Sequence, residues 1–204
     1  MLAHGKTQTA RLWTFARYER PWGSDSPPAD WYRYSGDRKG QHPKVHLARF
    51  HGWMHADRYA GFEDLYRSGA IREVACMAHV RQKFVDIHRS QGSPIAEEAI
   101  GRIAQLYAVE KEARGSPSDR RAELRRAPAA PVFDDLEVWL AMQLTTISSK
   151  SPLAAAIRCA LTRIERLRPY LDHGILVLDN NATERGLRSC SATIWMRTAR
   201  QSGW

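Results

Sequence analysis

The sequence predicts an α/β protein in which an N-terminal stretch of alternating strands and helices gives way to a long run of helix. Three observations carry this. Up to residue 78, short runs rich in aromatic and β-branched residues alternate with short helical patterns. Beyond residue 92, Ser-Pro pairs introduce apolar residues at helical spacing. The composition, 43% hydrophobic and 26% charged with Trp 7 in 204 residues, suits a chain that buries a core and not a disordered one.

Residues 11–18 (RLWTFARY) read as a strand because aromatic and β-branched residues crowd one short run. A Pro/Gly/Ser-rich turn, 21–28, separates it from a second strand-like run, 30–34, so the two suggest a hairpin with a long connection. After a turn at 35–40, residues 42–50 suit a short helix, with Pro43 near its start and Val45, Leu47 and Phe50 apolar. Strands are expected at 52–56, running into Asp57, and at 73–78, running into His79, with a short helix at 61–68 between them.

The middle of the chain is helical. Ser93-Pro94 supplies a capping hydroxyl and a Pro at the first helical position, and Ile95, Ala99, Ile103, Leu106 and Tyr107 then recur on one face. Gly115-Ser116-Pro117 breaks the pattern. Phe133, Leu136, Leu140, Leu144 and Ile147 mark a second amphipathic helix. Ser151-Pro152 opens a third, with Leu153, Ile157, Leu161, Ile164 and Leu167 buried, and Asp172-His173-Gly174 ends it. Residues 175–178 form a brief apolar run, and a last helix carries Glu184 to Arg188.

The formal net charge is +9, from 31 basic against 22 acidic residues, and this favours an anionic partner, with nucleic acid the commonest. Lys6, Gln8 and Arg11 interrupt the first residues before any apolar core forms, which argues against a signal peptide. No run approaches the roughly 20 apolar residues of a membrane helix. Cys76, Cys159 and Cys190 are odd in number and widely spaced, which argues against a disulfide framework. The expected setting is the cytoplasm, in association with the nucleoid, with no membrane contact.

Asp57 and Glu184 are the residues with the most chemical promise. A carboxylate at a strand end projects from a fixed place, and a Glu on a distant helix can join it in holding Mg2+ (or Mn2+), a hard cation that takes a few carboxylate oxygens and keeps some waters. Two such ions suit phosphoryl transfer, by activating a water or a 3′-hydroxyl and stabilising the leaving oxygen. The plainer alternatives are a turn-forming Asp and a solvated helical Glu. Cys76 and His79, with His88 further on, begin a zinc-like spacing but no second ligand pair follows, so a buried thiol and a hydrogen-bonded His are the simpler reading. Basic residues gather at Arg81, Lys83 and Arg89, and again at Arg114, Arg120, Arg121, Arg125 and Arg126. Either group suits phosphate neutralisation, and for the second a solvated helical face is the equal alternative. Asp179, Asn180 and Asn181 are expected to cap the last helix.

Four segments, HADRYAGF, EVACMAHVRQKFVDIH, SPLAAAIRCAL and DNNATERGLR, resemble in order and spacing the catalytic domain of the insertion-sequence-66 transposase family, over about residues 6–188. The resemblance implies a DDE transposase with an RNase H-like mixed sheet and a long helical insertion. It makes Asp57 the second and Glu184 the third acidic residue of the triad, both as metal ligands. Arg185 and Arg188, beside Glu184, join Arg81 and Lys83 as candidate DNA contacts. The domain layout it implies is a partial core at 6–90, the insertion at 91–173, the Glu184 segment at 174–188 and a divergent tail at 189–204.

The departures are equally specific. The family's first catalytic Asp lies on a central strand ahead of the segment matching residues 6–18, and no acid here precedes Glu19. With that strand missing, the hairpin at 11–34 is expected to lose its attachment to the strand before Asp57, leaving two exposed edges and a chain that folds poorly. The expectation is therefore a transposase fragment, inactive alone, whose partners are DNA and a homo-oligomer or a full-length transposase. The alternative is a non-catalytic DNA-binding or interfering protein derived from one. An active nuclease with a substitute carboxylate is disfavoured.

Overall fold

Strands form where aromatic and β-branched residues crowd the chain. The computed structural model describes residues 11–56, 59–181 and 195–199. In it β1 (Arg11–Arg17) and β2 (Ala29–Ser35) pair antiparallel, with Trp13 opposite Arg33 and Phe15 opposite Trp31. Then come α1 (Gln41–His46), β3 (Gly52–Ala56), a 3-10 turn (Ala60–Phe62) running into α2 (Glu63–Arg67), and β4 (Ile71–Val74). The sheet has the order β2-β1-β5-β3-β4, where β5 is Trp195–Ala199.

β5 corrects the sequence-based expectation of a split sheet. It lies parallel to β1, with Thr14 opposite Trp195, and antiparallel to β3, with Trp53 opposite Ala199. The gap between the hairpin and the strand before Asp57 is thus filled, by residues expected to be a divergent tail. The alternation of WMRTA fits a strand as well as any earlier run.

The described residues up to 18, from 27 to 73, and from 181 on form one compact unit; 19–26 and 74–180 form another. In the first, Trp13, Phe15, Leu47, Met54, Phe62, Leu65 and Ile71 make one apolar cluster on a single face of the sheet. Trp13 is fully buried, and its indole Nε1 donates to Ser35 Oγ at 2.8 Å, so the one polar atom of the ring is satisfied.

The second unit is helical: α3 (Met77–Gln91), α4 (Pro94–Ala113), α5 (Ser118–Thr146), α6 (Pro152–Leu167) and α7 (Pro169–Asp172). Both Ser-Pro starts behave as expected. Ser93 Oγ accepts from Ala96 N at 3.3 Å, and Ser151 Oγ accepts from Ala154 N at 3.1 Å. α3 shortens the expected strand at 73–78 to Ile71–Val74, because Met77, Val80, Phe84 and Ile87 recur at helical spacing and bury together. Gly92, at φ 62°, closes α3 in a left-handed conformation that only glycine adopts cheaply. The third expected helix ends at Leu167, and Pro169 opens the separate short α7 before the turn at His173. Gly174 has no room for a side chain, since an added Cβ would meet the Ser118 carbonyl oxygen.

α5 (Ser118–Thr146) starts just after the expected break at Gly115-Ser116-Pro117, well before the apolar run from Phe133, with Pro128 and Pro131 inside it. Each Pro removes one helical hydrogen bond. Packing compensates: Ala129, Phe133, Leu136 and Leu140 are fully buried. So is a polar centre. Glu110 accepts from Arg121 Nη2 at 2.8 Å, Arg125 Nε at 3.1 Å and Nη2 at 2.7 Å, and the Tyr170 hydroxyl at 2.7 Å. Arg121 also donates to the Pro21 and Leu176 carbonyls, and Arg125 to that of Tyr170. These bonds tie α4, α5 and α7 to the 3-10 turn Arg20–Trp22. Burial, and then the neighbouring Arg125, lower the Arg121 pKa to about 10, so it remains a cation at neutral pH.

Candidate functional site

β3 carries the chain to Asp57. Trp53, Met54 and His55 are buried, β5 and β4 flank the strand, and the Arg72 guanidinium lies 4.6 Å over the Trp53 ring. A strand held on both sides fixes the point at which its last residue emerges. Asp57 itself lies outside the described residues.

The segment leading to Glu184 is anchored in the helical unit. Leu176 and Leu178 are buried, and Met77 N donates to the Leu178 carbonyl at 3.0 Å. The Cys76 thiol donates to Asn180 Oδ1 at 3.1 Å, and Asn180 N donates back to Cys76 Sγ at 3.5 Å. Tyr107, on α4, donates to Asp179, and burial followed by that carboxylate raises its pKa; the Arg81 cation opposes the shift. Residues 178–180 are thus pinned to the start of α3. Cys76 is a buried thiol in a hydrogen bond, while His79 on the first turn of α3 is exposed. Among the described residues no group of three or more His, Cys, Asp or Glu is placed to hold a metal ion. Glu184, Arg185 and Arg188 lie outside the described residues, as does the helix that Asp179, Asn180 and Asn181 were expected to cap.

Of the expected DNA contacts, Arg81 is half-buried and Lys83 exposed, both on α3, with Arg89 exposed near its end. The second basic group is corrected at two of its members, while Arg114, Arg120 and Arg126 are exposed. Arg121 and Arg125 are fully buried around Glu110 and cannot reach a phosphate. Arg120 pairs with Glu123 at 3.0 Å and Arg126 with Asp172 at 3.1 Å, both at the surface. The sequence signal was indistinct here, because a buried and an exposed Arg look alike when an acid such as Glu110 sits a full helix away.

One basic surface went unread. Trp31 and Arg33 stand on β2, with Lys44 on α1 and Arg49 just beyond it. The Arg33 guanidinium lies 4.9 Å over the Trp31 ring. His46 packs edge-on to Trp31 at 5.8 Å, and burial together with the Arg33 charge lowers its pKa, keeping it neutral at pH 7. The signal available was the interleaving of aromatic and basic residues in WYRY.

The chain belongs to a transposase family. The model of the Transposase IS66 family matches residues 1–194. Three proteins of Sinorhizobium fredii (strain NBRC 101917 / NGR234) are similar to it, all described as uncharacterized. Protein y4qI is 38% identical, over 93% of this chain and 36% of its own length. Protein y4hP is 35% identical, over 92% and 37%, and y4jD 34% identical, over 92% and 38%. The chain therefore spans little more than a third of the relatives it matches. No solved structure matches it. Among the described residues no helix is long and apolar enough to cross a membrane.

Proposed function

We propose that this chain is part of the DNA-cutting and DNA-joining domain of an insertion-sequence transposase, a DDE enzyme with an RNase H-like sheet. The observation that carries the reading is the family match over residues 1–194, which spans both Asp57 and Glu184. The mixed sheet and the net charge of +9 support it.

In this reading Asp57 and Glu184 hold the metal. Two carboxylates without a soft donor suit a hard divalent cation, Mg2+ or Mn2+. When bound, such an ion supplies the positive charge that activates an oxygen nucleophile and stabilises a leaving oxygen. The protein's own part is positioning and neutralisation. β3 ends one residue before Asp57, the Cys76–Asn180 hydrogen bond holds the chain at Asn180, and in this reading Arg81, Lys83, Arg185 and Arg188 offset phosphate charge. DNA is the partner, and a second copy or a full-length transposase completes the assembly. In this reading the stretch, tested by itself, binds DNA without cutting it.

A gel-shift and cleavage series on labelled DNA with Mg2+ tests this. The expected result is binding that falls with salt and no cut product. Absence of binding at low salt overturns the DNA reading. Cleavage that depends on Asp57 and Glu184 overturns the inactivity of the isolated chain.

A further inference from the structure

We propose that the edge strand β2, with α1 against its Trp31, is a binding site for single-stranded nucleic acid, with a base stacking at Trp31 and phosphates held by Arg33, Lys44 and Arg49. The proposal deepens the DNA reading above and rests on it.

β2 is the terminal strand of the sheet, and residues Ala29 to Tyr34 are exposed. An ordinary edge strand is blunted by charge and left without large apolar groups. This one keeps Trp31 at 40% exposure, on the side of the strand that meets His46 of α1. The indole of Trp31 is not a loose side chain. Phe15, itself buried, packs against it at 4.8 Å, and His46 meets it edge-on at 5.8 Å. A ring held in this way and still two-fifths exposed loses little freedom when a base packs against it. The Arg33 guanidinium over that ring adds a second flat cationic surface, of the kind on which bases also stack.

The charge around this platform decides what kind of partner fits. From Trp31 to Arg49 the cations are Arg33, Arg38, Lys39, Lys44 and Arg49, and the carboxylate among them is Asp37. That carboxylate is already engaged, by the Lys39 amide at 3.0 Å and by His42 at 2.6 Å. Lys44 and Arg49 are exposed, and Lys44 lies two residues before the His46 that touches Trp31. Asp30, the acid nearest the platform, alternates to the opposite side of the strand from Trp31 and Arg33. A polyanion with flat, unpaired bases matches both features. A duplex keeps its bases stacked on one another and offers only its phosphates.

The test is fluorescence anisotropy of the full chain with labelled oligo(dT) of about 20 nucleotides, at salt from roughly 50 mM upward. The expected result is that Trp31→Ala weakens binding roughly tenfold and Trp31→Phe by less than about threefold. Lys44→Ala should make the slope of log affinity against log salt shallower by about 0.7. Circular dichroism melts confirm that each variant folds as the parent does. Unchanged affinity in Trp31→Ala and Arg33→Ala, with the parent binding well, overturns this site and leaves the DNA reading standing. Equal binding of a duplex, insensitive to Trp31, does the same. A parent chain that binds no oligonucleotide at the lowest salt overturns both.

Discussion

Replacing Glu110 by Gln removes the one negative charge in the polar centre of the helical unit and keeps its shape. Arg121 and Arg125 are fully buried there, and the carboxylate receives three of their N–H groups and the Tyr170 hydroxyl. A Gln side chain offers a single carbonyl acceptor and two N–H donors, which then face guanidinium donors. Two buried cations would remain without a counter-charge. Breaking a buried pair in this way costs about 3–5 kcal/mol, against less than about 1 kcal/mol for an exposed one. Urea unfolding followed by helical circular dichroism reads the difference, with Arg120→Ala as the exposed control. A triple replacement, Glu110→Leu with Arg121→Met and Arg125→Met, should recover most of the loss, because a well-packed apolar set avoids the desolvation of three charges. A Glu110→Gln midpoint that moves no further than the Arg120→Ala midpoint would refute the assignment of this network as the unit's polar keystone.

Other consequences are as specific. Cys76 is buried and bonded to Asn180, so it should alkylate far more slowly than Cys159, and Asn180→Ala should speed it by roughly tenfold, as peptide mass spectrometry can show. Ending the chain after residue 194 removes β5 from between β1 and β3, so the amides within Thr14 to Ala16 that face β5, and not those that face β2, should lose hydrogen-exchange protection. Retained protection there would mean that β5 is dispensable. The Lys39 amide, and then His42, hold the Asp37 carboxyl at about 2, below its ordinary value. A depressed carboxylate adds stability above its unfolded pKa of roughly 3.9 that is lost as pH falls toward 2. The Asp37→Asn variant should therefore show a flatter acid limb in its stability profile, lying below the parent at pH 7 and closing on it as pH falls toward 2.

Much of the architecture was legible because it depends on local chemistry. Residues 52–56 were read as a strand and form one, and the two Ser-Pro starts were read as caps and are caps. What escaped depended on distance along the chain. α3 was obscured because its first turn continues an apolar run begun by β4, so period-2 and period-3.6 readings compete at Ala75 to Val80. The length of α5 was hidden by Pro128 and Pro131, which ordinarily end a helix and here are outweighed by the burial of Phe133, Leu136 and Leu140. The role of Arg121 could not be read locally, since its partners Glu110, Pro21 and Leu176 are scattered from one end of the unit to the other. β5 escaped for the same reason, as a strand whose neighbours β1 and β3 lie more than a hundred residues earlier in the sequence. For Asp57 and Glu184 the family resemblance spoke first, and both lie outside the described residues, which reach β3 on the one side and the Cys76–Asn180 hydrogen bond on the other.

That Asp57 and Glu184 together hold a divalent ion is tested most directly by titrating the chain with Mn2+ and following the free ion by electron paramagnetic resonance. The expected result is saturable binding that Asp57→Asn and Glu184→Gln each abolish, with the helical melt unchanged. Binding of the same strength in both variants would contradict the assignment of these two carboxylates as the metal-holding pair.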